Sequence, residues 1–183
     1  EPEIEETVLW RWFDSTLPDY TNTAIEVDES LIGAPTAQLI ETKNAGFDTY
    51  IYPQEAIGEL PIDLTEVWDD VYIKLWVKTP EGRDNVKLRA RLGDQQWTTY
   101  VGDEFIVEKG GVWEEIVIKV SDATGAAGFN KDKFCFVDFR NIGTLQEGDQ
   151  VAVANIRVVT MVEKEPEPEI EETVLWRWFD STL

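Results

Sequence analysis

The chain has 183 residues, a formal net charge of −21 and a 43% hydrophobic share, which marks a globular chain and not a disordered one. So acidic a balance argues against general binding to nucleic acid or to an anionic membrane surface. The complete lack of histidine removes the usual general base, the Ser-His-Asp and Cys-His arrangements and most zinc sites.

The chain opens on a short acidic stretch, residues 1–5, read as a linker. Thr7–Asp14 follows as a first strand, rich in Val, Leu, Trp and Phe. Weaker strands are expected at Ala24–Val27, Gln38–Thr42 and Asp48–Tyr52. Val71–Lys78 alternates, with Val71, Ile73, Leu75 and Val77 on one face and Tyr72, Lys74, Trp76 and Lys78 on the other. Val86–Leu92 alternates in the same way, with Val86, Leu88, Ala90 and Leu92 inward and Lys87, Arg89 and Arg91 outward. Between these two lies Pro80-Glu81-Gly82-Arg83-Asp84-Asn85, which reads as a hairpin turn. Phe105–Val107 and the set Ile116, Ile118 and Val120 give further strands. Phe134–Phe139 and Val151–Val159 are more fully apolar and read as central strands. Cys135, the single cysteine, lies in one of these runs and reads as a small buried hydrophobe that can form no intrachain disulfide. No segment carries a sustained helical period. The pattern predicts an all-β fold, an antiparallel β-sandwich of roughly eight to ten strands.

The chain then returns to its own beginning. Residues 1–17 read EPEIEETVLWRWFDSTL, and residues 167–183 read the same without a substitution. The offset, from Glu1 to Glu167, is 166 residues. That is the length of a whole domain and not of a short solenoid repeat. The organisation expected is a sandwich unit over residues 6–162, a Glu/Pro linker over 163–171, and the first strand of a following copy over 172–183. Pro166 and Pro168 make the linker extended and semi-rigid. The opening strand, with Val8, Trp10, Trp12 and Phe13, and its duplicate, with Val174, Trp176, Trp178 and Phe179, are candidate assembly residues, because either copy can fill the same place in a sheet.

Several segments resemble the jelly-roll carbohydrate-binding modules of the broad galactose-binding-like class. They are Phe13-Asp14 at the end of the opening strand, Gly33 with Ala37-Gln38-Leu39-Ile40, and Ile62-Asp63-Leu64 with Val71 to Lys78. Gly111-Val112-Trp113-Glu114-Glu115-Ile116-Val117-Ile118 and the closing Val153-Ala154-Asn155-Ile156-Arg157-Val158 complete the set. The resemblance spans most of residues 7–160 and implies a jelly roll. It also implies a structural Ca2+ held by an acidic residue after the first strand and another in the closing strand. Asp14 matches the first position. Asn155 stands near the second, where an acidic pair is usual, and offers only an amide carbonyl.

Sugar binding needs flat aromatic faces beside polar groups. Tyr72, Trp76, Trp97 and Tyr100 are the candidate rings; packing within the sandwich is the competing reading for each. Charge adds a second pattern. Lys74, Lys78, Arg83, Lys87, Arg89 and Arg91 crowd into residues 74–91 of a chain with only 16 Lys and Arg. If the two alternating strands form a hairpin, Lys74, Lys78, Lys87, Arg89 and Arg91 share one face with Tyr72 and Trp76. Such a patch suits an anionic polysaccharide, the acidic linker of a neighbouring copy, or plain solvation of an outer face. Acidic pairs such as Asp69-Asp70 and Glu114-Glu115 follow from composition alone, so no catalytic site is assigned.

These features lead to a non-catalytic structural repeat of an extracellular or cell-surface protein or filament, joined to neighbouring copies through the duplicated strand and linker. The alternative is a tandem glycan-binding module whose partner is a polysaccharide. Neither reading involves nucleic acid or membrane insertion.

Overall fold

Two antiparallel sheets pack face to face in the computed structural model, which describes residues 3–12, 22–43 and 46–164. The strands in chain order are β1 (Ile4–Trp12), β2 (Asn22–Glu26), β3 (Thr36–Glu41), β4 (Asp48–Ile51), β5 (Glu55–Ala56) and β6 (Val71–Lys78). They continue with β7 (Val86–Asp94), β8 (Tyr100–Val107), β9 (Glu114–Lys119), β10 (Phe134–Asn141) and β11 (Gln150–Glu163). The first sheet runs β9-β6-β11; the other side of β11 is shared, with β3 and β2 beside its first half and β1 and β5 beside its second. The second sheet runs β4-β10-β7-β8. This is the all-β sandwich expected, with the two-residue β5 as a strand the pattern did not show.

The expected hairpin is absent. β6 pairs with β11 and β9, whereas β7 pairs with β10 and β8, so the two strands belong to different sheets. Their apolar faces meet across the core: Ile73, Leu75, Leu88, Ala90 and Leu92 are all fully buried there. Alternation fixes which side of a strand faces the core, but two facing strands in opposite sheets alternate just as two paired ones do. The link over residues 79–85 is therefore a crossover, and it is clamped. Gly111 N–H donates to Thr79 O at 2.8 Å, Gly110 N–H to Asp84 Oδ1 at 2.9 Å, and Arg83 pairs with Asp149 at 3.0 Å.

Trp10 and Trp12 of β1 are 0% and 1% exposed and sit in the central cluster. The opening strand thus buries both tryptophans and fills its own place in the sheet. Pairing begins at Ile4 opposite Glu163, so it extends into both segments expected as linker. Phe13, Val174, Trp176, Trp178 and Phe179 lie outside the described residues.

A four-residue helix, α1 (Glu29–Ile32), packs on the outside of the first sheet. Asp28 caps it by accepting from Ser30 N at 3.0 Å, and Gly33 ends it at φ 73.

Candidate functional site

β7 and β10 run side by side through the middle of the second sheet, and their outward positions set the site's floor. On β10, Val137 and Phe139 point into the core, while the intervening Asp138 and Arg140 face outward. A bulge between Phe134 and Phe136 brings Phe136 onto the same outer face. Phe136 is 0% exposed yet lies outside the core cluster, because four other rings cover it. Trp97 lies 4.5 Å from it, Tyr50 and Tyr52 5.6 Å, and Tyr100 6.1 Å. Trp97 and Tyr52 are the open members, 46% and 43% exposed. Gly93 of β7 makes room for this stack: a Cβ there would fall inside the Phe136 ring.

Trp97 holds a positive φ of 61 in the β7–β8 turn, a conformation an aromatic residue adopts only where its surroundings impose it. Asp94 imposes it. Its buried carboxylate accepts from Thr98 N at 2.8 Å, Thr98 Oγ1 at 2.7 Å, Thr99 Oγ1 at 2.8 Å and Asn130 Nδ2 at 2.6 Å. Burial alone would push this carboxyl up, but these donors outweigh it and hold Asp94 well below the usual carboxylate range. The turn is therefore built around a permanent anion that places Trp97 over Phe136.

Beside the rings lies a polar cluster. Asp138, with no exposed surface, accepts from Arg91 Nε at 2.8 Å and from Arg89 Nη2 at 3.1 Å. The Arg91 guanidinium also stands 4.3 Å from the centre of the Tyr100 ring, a cation–π contact. Asp48 of β4 interacts with Asp138 as well: burial first, then the hydrogen bond and the charge of Asp138, push its carboxyl up to about 6. Tyr50 and Tyr100 are likewise shifted upward, by burial first and then by neighbouring groups that include Asp138. A cleft of about 470 Å3 opens here, with Arg89, Arg91, Tyr100 and Glu104 around it.

The expected site residues are divided between the two sheets. Trp97, Tyr100, Lys87, Arg89 and Arg91 belong to this face. Tyr72, Lys74, Trp76 and Lys78 lie on the outside of the other sheet, so the single patch of charges and rings predicted from a hairpin does not exist. The charges are also paired. Lys74 meets Glu6 at 2.6 Å and Glu115 at 3.6 Å, and Arg157 meets the same two carboxylates. Lys87 meets Glu104 at 3.2 Å, and Arg140 meets Asp48 at 3.7 Å. Trp76 packs against the small cluster of Ile32, Ala34, Ala37 and Ala154 under α1, so packing is its role in this structure. Lys78 stands 5.1 Å over the Trp113 ring.

Asn155 sits at φ 45 in the β11 bulge and donates through Nδ2 to Ile32 O at 2.8 Å, fastening α1 to the sheet. Its Oδ1 is buried without a donor among the described residues. Asp14, the other expected Ca2+ ligand, lies outside them. No group of three or more acidic, His or Cys side chains that could hold a metal occurs among the described residues.

Tyr50, Tyr52, Phe136, Asp94 and Asp138 were not foreseen as site residues. A period of two was present in Asp48-Thr49-Tyr50-Ile51-Tyr52 and in Phe136-Val137-Asp138-Phe139-Arg140, but it did not reveal that the two strands are neighbours.

No family model and no curated protein matches the sequence. The fold does have solved counterparts. One is the family 30 carbohydrate-binding module of the cellulosomal cellulase Cel9D-Cel44B of Clostridium thermocellum, at 13% identity and a TM-score of 0.53, covering 85% of this chain and 93% of that one. The family 11 carbohydrate-binding module of the cellulosomal cellulase Lic26A-Cel5E of the same organism matches at 11% identity and a TM-score of 0.52, over 89% and 98%. An exo-β-agarase matches at 10% identity and a TM-score of 0.57, over 87% of this chain and only 25% of the enzyme. The chain has the jelly-roll fold of carbohydrate-binding modules.

Proposed function

We propose that this domain is a non-catalytic glycan-binding unit of an extracellular tandem protein and that a neutral polysaccharide chain lies across the outer face of β4-β10-β7-β8. The carrying observation is the exposed pair Trp97 and Tyr52, seated with Tyr50 and Tyr100 on a buried Phe136. Exposed rings on a rigid floor cost little side-chain entropy on binding and offer the flat apolar surface that sugar C–H groups stack on. Arg89 and Arg91, held in place by the buried Asp138, supply oriented polar groups beside them. The carbohydrate-binding modules with this fold support the reading by analogy.

Neutral glycans are favoured over anionic ones because Lys87, Arg89, Arg91 and Arg140 each already have a carboxylate partner. An anionic chain would gain little from cations that are already paired, Arg89 and Arg91 sharing the one carboxylate of Asp138. Calorimetric titration against a cellulose-type β-glucan, a xylan, an agar-type galactan and a polyuronate tests this. At least one neutral glycan should bind, and Trp97→Ala should weaken it by about tenfold or more, the scale of one lost ring contact. Binding to none of them, or to the polyuronate alone, overturns the proposal.

The unbroken duplication favours a second reading alongside it, a repeat that works in arrays. Identical binding units in tandem raise avidity without any new contact, so the two readings are compatible.

A further inference from the structure

A second depression of about 600 Å3 lies next to the cleft on the sheet face. Four short 3-10 turns build it: Trp68 and Asp69 come from Thr65–Asp70, Ser121 from Val120–Asp122, Ala126 and Gly128 from Ala126–Gly128, and Lys131 from Lys131–Lys133. Gly125 lines both this depression and the cleft. The ridge between them is low for a physical reason. Gly125 has φ 90, and a Cβ on it would collide with the carbonyl oxygen of Tyr100. No side chain can stand there. Thr124, the ridge's other member, is tied down, its N–H and Oγ1 both donating to Asp103 Oδ1, at 3.0 and 2.8 Å.

The depression is chemically unspent. Asp69 and Ser121 make no side-chain hydrogen bond among the described residues, although they line a concave surface. Lys131 stands 4.7 Å over the Trp68 ring, and that ring is stacked on Phe129 at 5.7 Å, so the floor is rigid. A carboxylate, a hydroxyl and an ammonium around a floor of small side chains, Ala123, Ala126 and Ala127, backed by the buried Trp68, match the mixed surface of a sugar, whose hydroxyls need donors and acceptors while its C–H faces need apolar contact.

The geometry points to an extended binding path: a glycan chain that lies on the rings of the sheet face continues over Gly125 into the Trp68–Lys131 depression, which takes its further sugar units. This inference rests on the glycan-binding reading and adds a length requirement to it. The platform alone serves short oligosaccharides; long ones gain Asp69, Ser121 and Lys131.

The test is a length series of oligosaccharides from whichever neutral glycan binds, titrated against the full chain and two variants. Gly128→Trp fills the depression from a position where an added Cβ meets nothing within 4 Å. Asp69→Ala removes an exposed acceptor without emptying the core. Wild type should bind long oligosaccharides about tenfold more tightly than short ones. Both variants should lose most of that gain and bind short oligosaccharides as wild type does. Wild-type affinity that stops rising once the platform is covered, or variants that keep the full gain, overturns the extended path while leaving the platform in place. Failure of wild type to bind any glycan overturns both. Unchanged affinity for short oligosaccharides also certifies that each variant is folded.

Discussion

Asp94, fully buried, and Asp48, partly exposed, show how two aspartates of one sheet acquire opposite characters. Asp94 gathers hydroxyl, amide and backbone donors that outweigh its burial, so its charge is stabilised; Asp48 is partly buried and faces another carboxylate, so its charge is resisted. The consequences for stability have opposite signs. The folded pKa of Asp94 is depressed, so its contribution is present above the ordinary value of 3.8 and is lost as pH falls below it. That of Asp48 is raised to about 6, so the folded state keeps a proton that the unfolded chain releases, and stability declines as pH rises from about 4 to about 6. Asp48→Asn should flatten that decline in thermal midpoints recorded across the range, and an unaltered slope would show that Asp48 titrates normally. Asp94→Ala should destabilise by about 2 kcal/mol, since it takes the shared acceptor from several partly buried donors at once, and should also release Trp97. Denaturant unfolding measures the first effect and glycan affinity the second; a loss below about 1 kcal/mol would mean that the turn holds itself.

Single strands were legible because period two maps directly onto burial. The inward sets of β6 and β7 are as the alternation requires, and β10 and β11 are as buried as their apolar runs imply. Pairing between strands was not legible. The β6–β7 link carries good turn residues, yet it crosses from one sheet to the other, and this relocates three of the expected basic residues to the far side of the sandwich from the other two. The platform depends on strand-level fit of the same kind. Gly93→Ala should force Phe136 out of its place over β7, at a cost of about 1–3 kcal/mol by overpacking. It should also weaken glycan binding more than its stability loss alone would, which parallel unfolding and titration experiments can separate. Wild-type affinity in that variant would show that the Phe136 floor is dispensable.

At the scale of the whole molecule, the chain enters and leaves at one point, since Ile4 pairs with Glu163 and Lys164 N–H donates to Glu3 O at 2.8 Å. A chain lacking residues 1–12 loses β1 and with it Trp10 and Trp12 from the core. The duplicate in residues 167–183 has the sequence to replace them. The six residues from Lys164 to Glu169 would need to span only about one strand spacing, near 4.8 Å, to bring Ile170 to the place of Ile4. The truncated chain should therefore fold with its own tail in the slot, as a monomer with near-native unfolding; light scattering and melting check this. Swapped polymers would show that Pro166 and Pro168 forbid the tight return, and an unfolded monomer that the two copies are not interchangeable. The sequence by itself determined the fold class, the core faces of the long strands and the identity of residues 1–17 with 167–183, because composition, period and identity are local properties of the chain. It also singled out Trp97, Tyr100, Arg89 and Arg91. Only the tertiary structure decided which face they share, that Tyr50, Tyr52, Phe136 and Asp138 join them, and that most of the basic residues pair with carboxylates. Those facts depend on which strands become neighbours, a property set by packing two sheets around one core and carried by no single segment.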